Sequence, residues 1–84
     1  MRYKLLYTKT ARADIQKLDF VARKRIKQKL EEYALKPLQY AKKLTNSLIG
    51  SYRWRIGNFR VVFDIHKQDI VILRIGHRRE IYKK

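Results

Sequence analysis

The chain has 84 residues, with 22 lysines and arginines against 7 acidic residues, and its formal net charge is +15. A chain of this length folds around one modest core, so a single domain covering residues 1–84 is predicted. The absence of cysteine excludes a disulfide framework, a thiol nucleophile and zinc sites built on Cys.

The charge predicts a polyanionic partner, because binding an acidic molecule relieves the self-repulsion of so basic a domain. Nucleic acid, an acidic protein and an anionic membrane surface all meet this requirement. The sequence contains no run of about 18 apolar residues that could span a bilayer, and its N-terminal segment lacks the apolar run of a signal peptide. We therefore expect a soluble, cytoplasmic protein with no membrane partner.

The N-terminal half predicts one strand and two helices. Residues 2–8 alternate between two faces, one of them more apolar, which predicts a strand. Thr8 or Thr10 then suits the N-cap of a first helix, and Asp19 suits the N-cap of a second. Apolar positions recur at helical spacing, at Ala11, Ile15 and Leu18 and then at Ala22, Ile26, Leu30 and Tyr33. With almost no linker between them, the two helices are expected to form an α-hairpin.

Pro37 is predicted to end the second helix, because proline lacks the backbone N–H that a continuing helix requires. Residues 37–50 are predicted to form a connector with turn-forming residues near its end. Within this connector, we interpret Tyr40, Lys42 and Lys43 as ordinary solvated residues rather than as part of a binding surface.

Three strands follow the connector. Their sequences are SYRWRI, FRVVFDI and IVILRIG, joined by a Gly57-Asn58 turn and by a polar turn at residues 66–69. An α-hairpin must bury its apolar stripe, and the sheet is the candidate surface of matching size. The predicted fold class is α+β, with an N-terminal strand and an α-helical hairpin packed on a small antiparallel sheet that the C-terminal three-strand meander completes.

Strand alternation assigns the residues of the meander to two faces. The face predicted to contact the helices consists of Tyr52, Trp54, Ile56, Phe59, Val61, Phe63, Ile65, Val71, Leu73 and Ile75. The opposite face consists of Arg53, Arg55, Arg60, Val62, Asp64, Ile70, Ile72 and Arg74, with Arg78 beyond if the alternation continues past Gly76. Arginines from three adjacent strands thus share one face, at spacings of about 4.8–6.6 Å that suit the phosphates of a single-stranded nucleic acid. The same pattern also suits a solvated sheet that carries charge for solubility.

The C-terminal segment GHRREIYKK adds groups suited to acid–base chemistry. His77, Glu80 and Tyr82 can exchange protons, and Arg78 and Arg79 can hold a phosphate. Cleaving RNA without a metal requires a base for the 2′-OH, an acid for the leaving 5′-oxygen and fixed cations for the charge on the phosphorane. Candidates for all three roles are present. No metal is expected, because no cluster of His, Asp and Glu has ligand spacing.

The segments KKLTNSLIGSYRWRIGNFRVVFDI and VILRIGHRREIY resemble the RelE-type toxins of the RelE/ParE toxin–antitoxin superfamily, and the helical half resembles them in pattern. The resemblance implies a RelE-like fold and an mRNA interferase that cuts mRNA in the ribosomal A site. It implies attack by the 2′-OH without a metal or a small-molecule cofactor. The implied partners are the ribosome, the mRNA and an acidic, RelB-like antitoxin.

The resemblance also implies which residues bind RNA. Arg53 and Arg55 match a basic pair that binds the message, and this pair is lysine in the prototype of the family. Together with the arginines on the same face and in the tail, the predicted RNA-binding residues are Arg53, Arg55, Arg74 and Arg79.

The implied catalytic residues lie on the second meander strand and at the C-terminus. Arg60 and Arg78 match arginines that stabilise the scissile phosphate, and Tyr82 matches a tyrosine that stacks on the base or accepts a proton. His77 is a further candidate for the acid–base work. Two alternatives stay open, namely a ParE-like inhibitor of DNA gyrase and a non-catalytic RNA-binding or DNA-binding module that uses the same arginines.

Overall fold

The computed structural model describes residues 3–44 and 50–77 of the chain. The helices are α1 (Lys9–Gln16), α2 (Phe20–Tyr33) and the short α3 (Pro37–Tyr40). The strands are β1 (Lys4–Tyr7), β2 (Lys42–Lys43), β3 (Tyr52–Ile56), β4 (Phe59–His66) and β5 (Asp69–His77). The α+β fold class, the N-terminal strand, the helical hairpin and the three-strand meander are confirmed.

The five strands form one sheet in the order β1-β5-β4-β3-β2. β5 pairs with β4, β4 with β3, and β3 with β2 in antiparallel fashion. The prediction of an antiparallel sheet was wrong for β1, which pairs with β5 in parallel. The helices and strands β2 to β4 lie between β1 and β5 in the chain, and such a long crossover is what a parallel pair requires. The prediction also missed α3 and β2, which lie in the segment expected to be a plain connector.

Side-chain caps fix where both long helices begin. The Thr8 side-chain oxygen accepts a hydrogen bond from the Ala11 N–H at 3.0 Å, so Thr8 rather than Thr10 caps α1. Asp19 caps α2 as predicted, through a 2.7 Å hydrogen bond from the Ala22 N–H to its carboxylate. Pro37 does not simply stop α2, which already ends at Tyr33, but occupies the first turn of α3. Proline is favoured there because its missing N–H would have no helical partner.

The core lies between the helical hairpin and one face of the sheet. It consists of Ala11, Ile26, Leu30, Ala34, Trp54, Ile56, Val61, Phe63, Ile70, Ile72 and Ile75. The Trp54 and Phe63 rings are 4.0 Å apart between centroids, and the Tyr33 ring of α2 meets Trp54 edge-on at 5.7 Å. The buried Trp54 Nε1–H also donates a 3.0 Å hydrogen bond to the Pro37 carbonyl, which ties α3 to the sheet.

One bulge in β5 corrects the predicted faces. Val62 pairs with Arg74 while Phe63 pairs with Ile72, so Leu73 is an extra residue on β5. Ile70 and Ile72 therefore enter the core, and the assignment of Val71 and Leu73 to it was wrong. After the bulge the predicted alternation returns, with Ile75 in the core. Among the described residues, the structure contains no helix that is both long and apolar enough to cross a membrane.

Candidate nucleic-acid interface

Cationic residues collect at one end of the sheet face that the helices leave uncovered. Two cross-strand rows carry them. One row places Lys42, Arg53, Val62 and Arg74 side by side on β2, β3, β4 and β5, and the other places Arg55 and Arg60 beside Gly76. We call the five cationic residues of these rows the basic face, which consists of Lys42, Arg53, Arg55, Arg60 and Arg74.

Arg55 and Arg60 are direct partners across β3 and β4. Arg55 is exposed, whereas Arg60 is only 6% exposed and donates from Nη1 to the Phe59 carbonyl at 3.3 Å. Like charges directly opposite each other destabilise a sheet. A bound anion at this face would reduce the repulsion between like charges on two paired residues.

The other end of the same face is acidic and apolar rather than basic. The Asp64 carboxylate accepts a 2.7 Å hydrogen bond from the Ser51 N–H, and Asp64 lies beside Val71. Gly50 packs so closely here that a Cβ would lie 2.7 Å from Leu73 Cδ1 and 2.8 Å from Val62 Cγ1. Val62 is fully buried and Arg60 is only 6% exposed, so the face that was predicted to be open is covered at both of these positions.

Arg74 belongs to the basic face by register but already has an acidic partner. Its Nε donates to Asp14 Oδ2 at 2.8 Å and its Nη2 to Asp14 Oδ1 at 3.4 Å. The Arg74 side chain is 38% exposed and that of Asp14 only 8%. The positive charge of Arg74 is thus largely compensated within the fold.

His77 lies on the other side of the sheet from the basic face. It pairs with Phe59, whereas Gly76 pairs with Arg60, and successive strand residues point to opposite faces. The His77 ring meets the Phe59 ring edge-on at 6.2 Å. Both residues line a cleft of about 180 Å³ whose wall also includes Lys17. The described structure therefore does not bring His77 and Arg60 together on one face.

The remaining predicted site residues are Arg78, Arg79 and Tyr82, which lie outside the described residues. Within residues 3–44 and 50–77, no three His, Asp or Glu side chains are grouped as metal ligands would be.

Lys42 belongs to the basic face, although the sequence did not assign it there. It was interpreted as a solvated connector residue, but β2 places it directly opposite Arg53. A two-residue strand has too few positions to show alternation, so the sequence carries no periodic signal for it. Only the pairing of β2 with β3 shows that Lys42 lies beside Arg53.

Comparisons with known proteins match this architecture over nearly the whole chain. The family model described as the ParE toxin of the type II toxin–antitoxin system parDE matches residues 5–82. The toxin RelG of Mycobacterium tuberculosis is 34% identical over 91 residues, with 100% of both chains covered. The toxin RelE3 of Methanocaldococcus jannaschii is 32% identical, with 94% of each chain covered.

Solved structures show the same fold. A chain of the toxin–antitoxin complex RelBE2 from Mycobacterium tuberculosis is 30% identical and superposes with a TM-score of 0.84, covering 93% of this chain and 100% of that one. A chain of the RelB–RelE antitoxin–toxin complex from Methanococcus jannaschii is also 30% identical, with a TM-score of 0.72 and coverage of 93% and 95%. Together with the family-model match, these structures assign the chain to the toxins of type II toxin–antitoxin systems.

The particular family follows from the sequence matches. The chain belongs to the RelE/ParE family of toxins, which confirms the resemblance found in its motifs.

Proposed function

We propose that this toxin is a ribosome-dependent mRNA interferase. The cut is made when the 2′-oxygen of one nucleotide attacks the adjacent phosphorus and the 5′-oxygen of the next nucleotide leaves. This step produces a cyclic phosphate on one fragment and a hydroxyl on the other. The protein must supply proton acceptance, proton donation and stabilisation of the extra negative charge on the phosphorane.

The observation that carries the proposal is the Arg55–Arg60 pair on the uncovered face. Arginines on directly paired residues of adjacent strands are suited to the developing charge, because a guanidinium stays protonated and presents several N–H donors. Arg53 and Lys42 extend the cationic surface toward β2, along a path that a single RNA strand can follow. In this proposal Arg78 stabilises the same phosphate and Tyr82 takes part in proton transfer. His77 has no part in this step, because it lies on the other side of the sheet from Arg60.

The proposed partners follow from the family and from the charge. An acidic, RelB-like antitoxin would neutralise the net charge of +15 and cover the basic face. The relatives support this pairing, since two of the matched structures are complexes of RelB–RelE type. The proposed site of action is the cytoplasm, where ribosomes and mRNA meet.

Purified toxin added to programmed ribosomes tests the proposal. We expect a cut within the A-site codon, no cut in the same mRNA without ribosomes, and no cut when the nucleotide that attacks carries 2′-deoxyribose. Arg55→Gln should lower the cutting rate, while the matched charge change Lys24→Gln on the exposed surface of α2 should leave it unchanged. Intact mRNA after incubation with the wild-type toxin on ribosomes would refute the proposal.

A second candidate function is inhibition of DNA gyrase. It is favoured by one observation, the match of the ParE toxin family model to residues 5–82. A supercoiling assay with purified gyrase separates the two candidates. Inhibited supercoiling with intact mRNA would favour the gyrase target, and salt-sensitive RNA binding without either effect would indicate a non-catalytic binding module.

A further inference from the structure

The C-terminal half of β5 has a helix, rather than a strand, along one of its edges. β1 pairs with β5 only as far as Tyr7 and Ile72. The chain then turns into α1, and Thr8 continues the edge in place of a strand. Its N–H donates to the Ile72 carbonyl at 3.1 Å, and its hydroxyl donates to the Leu73 carbonyl at 3.2 Å.

Asp14, about two turns further along α1, makes the next hydrogen bonds to this edge of β5. Its Oδ2 accepts a 3.0 Å hydrogen bond from the buried Ile75 N–H and the 2.8 Å hydrogen bond from Arg74 Nε. A carboxylate that is only 8% exposed is costly unless hydrogen bonds compensate it, and Arg74 and Ile75 supply them. Asp14 therefore binds the strand through both the main chain and a side chain, directly after the bulge at Leu73.

Asp14 holds Arg74, which belongs to the basic face, and Ile75, which directly precedes Gly76 on β5. Ile75 pairs with Val61, and Gly76 pairs with Arg60. Because of the bulge, this part of β5 could pair with β4 in a register shifted by one residue. Because Asp14 contacts residues on the far side of the bulge, it selects the register that sets Gly76 beside Arg60.

We propose that Asp14 is a positioning residue for RNA cleavage, acting through β5 on Arg60. This inference rests on the proposed function. It assigns Arg74 to a tether between β5 and α1 rather than to a phosphate contact. Asp14 itself touches no RNA in this assignment.

The test compares Asp14→Asn with Asp64→Asn in the programmed-ribosome assay. Asp64 is the matched control, because its carboxylate also accepts a strand N–H, from Ser51, but at the end of the face away from Arg60. We expect Asp14→Asn to lower kcat about tenfold or more, since small displacements of catalytic groups have effects of this size, with KM for programmed ribosomes unchanged within about twofold. Asp64→Asn should leave both constants unchanged per folded molecule.

Two further variants keep the proposal falsifiable. Arg74→Gln leaves the hydrogen bond from the Ile75 N–H to Asp14 in place, so we expect a smaller loss of kcat than in Asp14→Asn. The double variant Asp14→Asn, Arg74→Gln should lose no more kcat than Asp14→Asn alone. Asp14→Glu keeps the charge but moves the carboxylate by one methylene, and it replaces Asp14→Asn if that variant does not fold. A kcat within about twofold of wild type for the folded Asp14 variant would overturn the proposal, as would an equal loss in Asp64→Asn.

Amide hydrogen exchange measures, independently of cleavage, how strongly Asp14 stabilises the C-terminal half of β5. In Asp14→Asn the Ile75 amide should exchange faster, with the neighbouring Gly76 and His77 amides following, while Trp54 on β3 keeps its protection. Unchanged exchange at Ile75 would overturn the positioning role. If the wild-type toxin does not cut, the proposed function is refuted, and so is any role of Asp14 in cleavage. The exchange data would then still show whether Asp14 sets the position of β5.

Discussion

Arg55 on β3 and Arg60 on β4 are direct cross-strand neighbours on the face that the helices leave uncovered. Arg55 is exposed and Arg60 is nearly buried, and like charges on directly paired residues disfavour the pairing. A sheet optimised for stability would place a neutral or acidic residue in one of these positions. The pair is therefore a place where stability and activity are expected to oppose each other.

Arg55→Gln should stabilise the fold while weakening activity. Removing the like-charge contact is expected to raise the free energy of unfolding by about 0.2–1 kcal/mol, which corresponds to a rise in Tm of about 1–8 °C for a domain of this size. Thermal unfolding followed by circular dichroism at low and high salt would measure it, with the larger gain at low salt. The control is Lys24→Gln, which should change neither Tm nor cleavage. A lower Tm for Arg55→Gln would contradict the account of the pair.

Arg53→Gln should change the salt dependence of RNA binding. If Arg53 contacts a phosphate, its loss should reduce the slope of log K against log salt by about 0.7 for a single strand. The measurement is fluorescence anisotropy with a labelled single-stranded RNA over a series of salt concentrations. Lys42→Gln, directly opposite on β2, should give a similar reduction. A slope equal to that of the wild type in both variants would place the RNA elsewhere on the surface.

Trp54→Phe should destabilise the toxin without affecting the basic face directly. Trp54 is fully buried, and its Nε1–H donates to the Pro37 carbonyl at 3.0 Å. The substitution loses this hydrogen bond and leaves unfilled volume, at a cost of about 2–4 kcal/mol. Urea unfolding monitored by circular dichroism would measure the loss. Phe20→Leu, at a site that is 74% exposed, should change stability little, and a comparable loss there would show that burial is not the cause.

Stability should fall at alkaline pH in a way that depends on Tyr7. Burial raises the pKa of the Tyr7 phenol above its ordinary value of 10.0, and the charge of Glu31 adds to the rise. The folded state therefore holds this proton more tightly than the unfolded state. Its contribution to stability is fully present below pH 10 and is lost as the pH rises through the folded-state pKa.

Tyr7→Phe should flatten the decline in unfolding free energy above about pH 10, as measured by urea unfolding at a series of pH values. Glu31→Gln should flatten it only in part, because burial is the larger cause. A decline in Tyr7→Phe as steep as in the wild type would assign the alkaline effect to other groups.

Local patterns predicted the elements of this fold well. The caps Thr8 and Asp19 act within their own helices, and the two short turns join strands that are adjacent in the chain. The pairing of β1 with β5 and the two-residue β2 depend on contacts between distant segments. Neither has a local signal in the sequence, and both were missed.

Only part of the basic face was predicted, because local patterns show the strand residues but not the contacts between distant segments. Arg53, Arg55 and Arg60 lie on regular strands, so their common face followed from alternation alone. The compensation of Arg74 by Asp14 joins residues that are 60 positions apart. An aspartate in the middle of a helix gives no indication that it will meet a strand edge.

The bulge in β5 has a consequence for chain length. Leu73 is the residue without its own partner, because Ile72 faces Phe63 and Arg74 faces Val62. Deleting Leu73 would leave a regular ladder in which every other residue keeps its present partner and its present face. Ile70, Ile72 and Ile75 would still enter the core, and Gly76 would still lie beside Arg60. Position 73 is thus a point where β5 can lose one residue without exchanging its two faces, which a deletion in β3 would not allow.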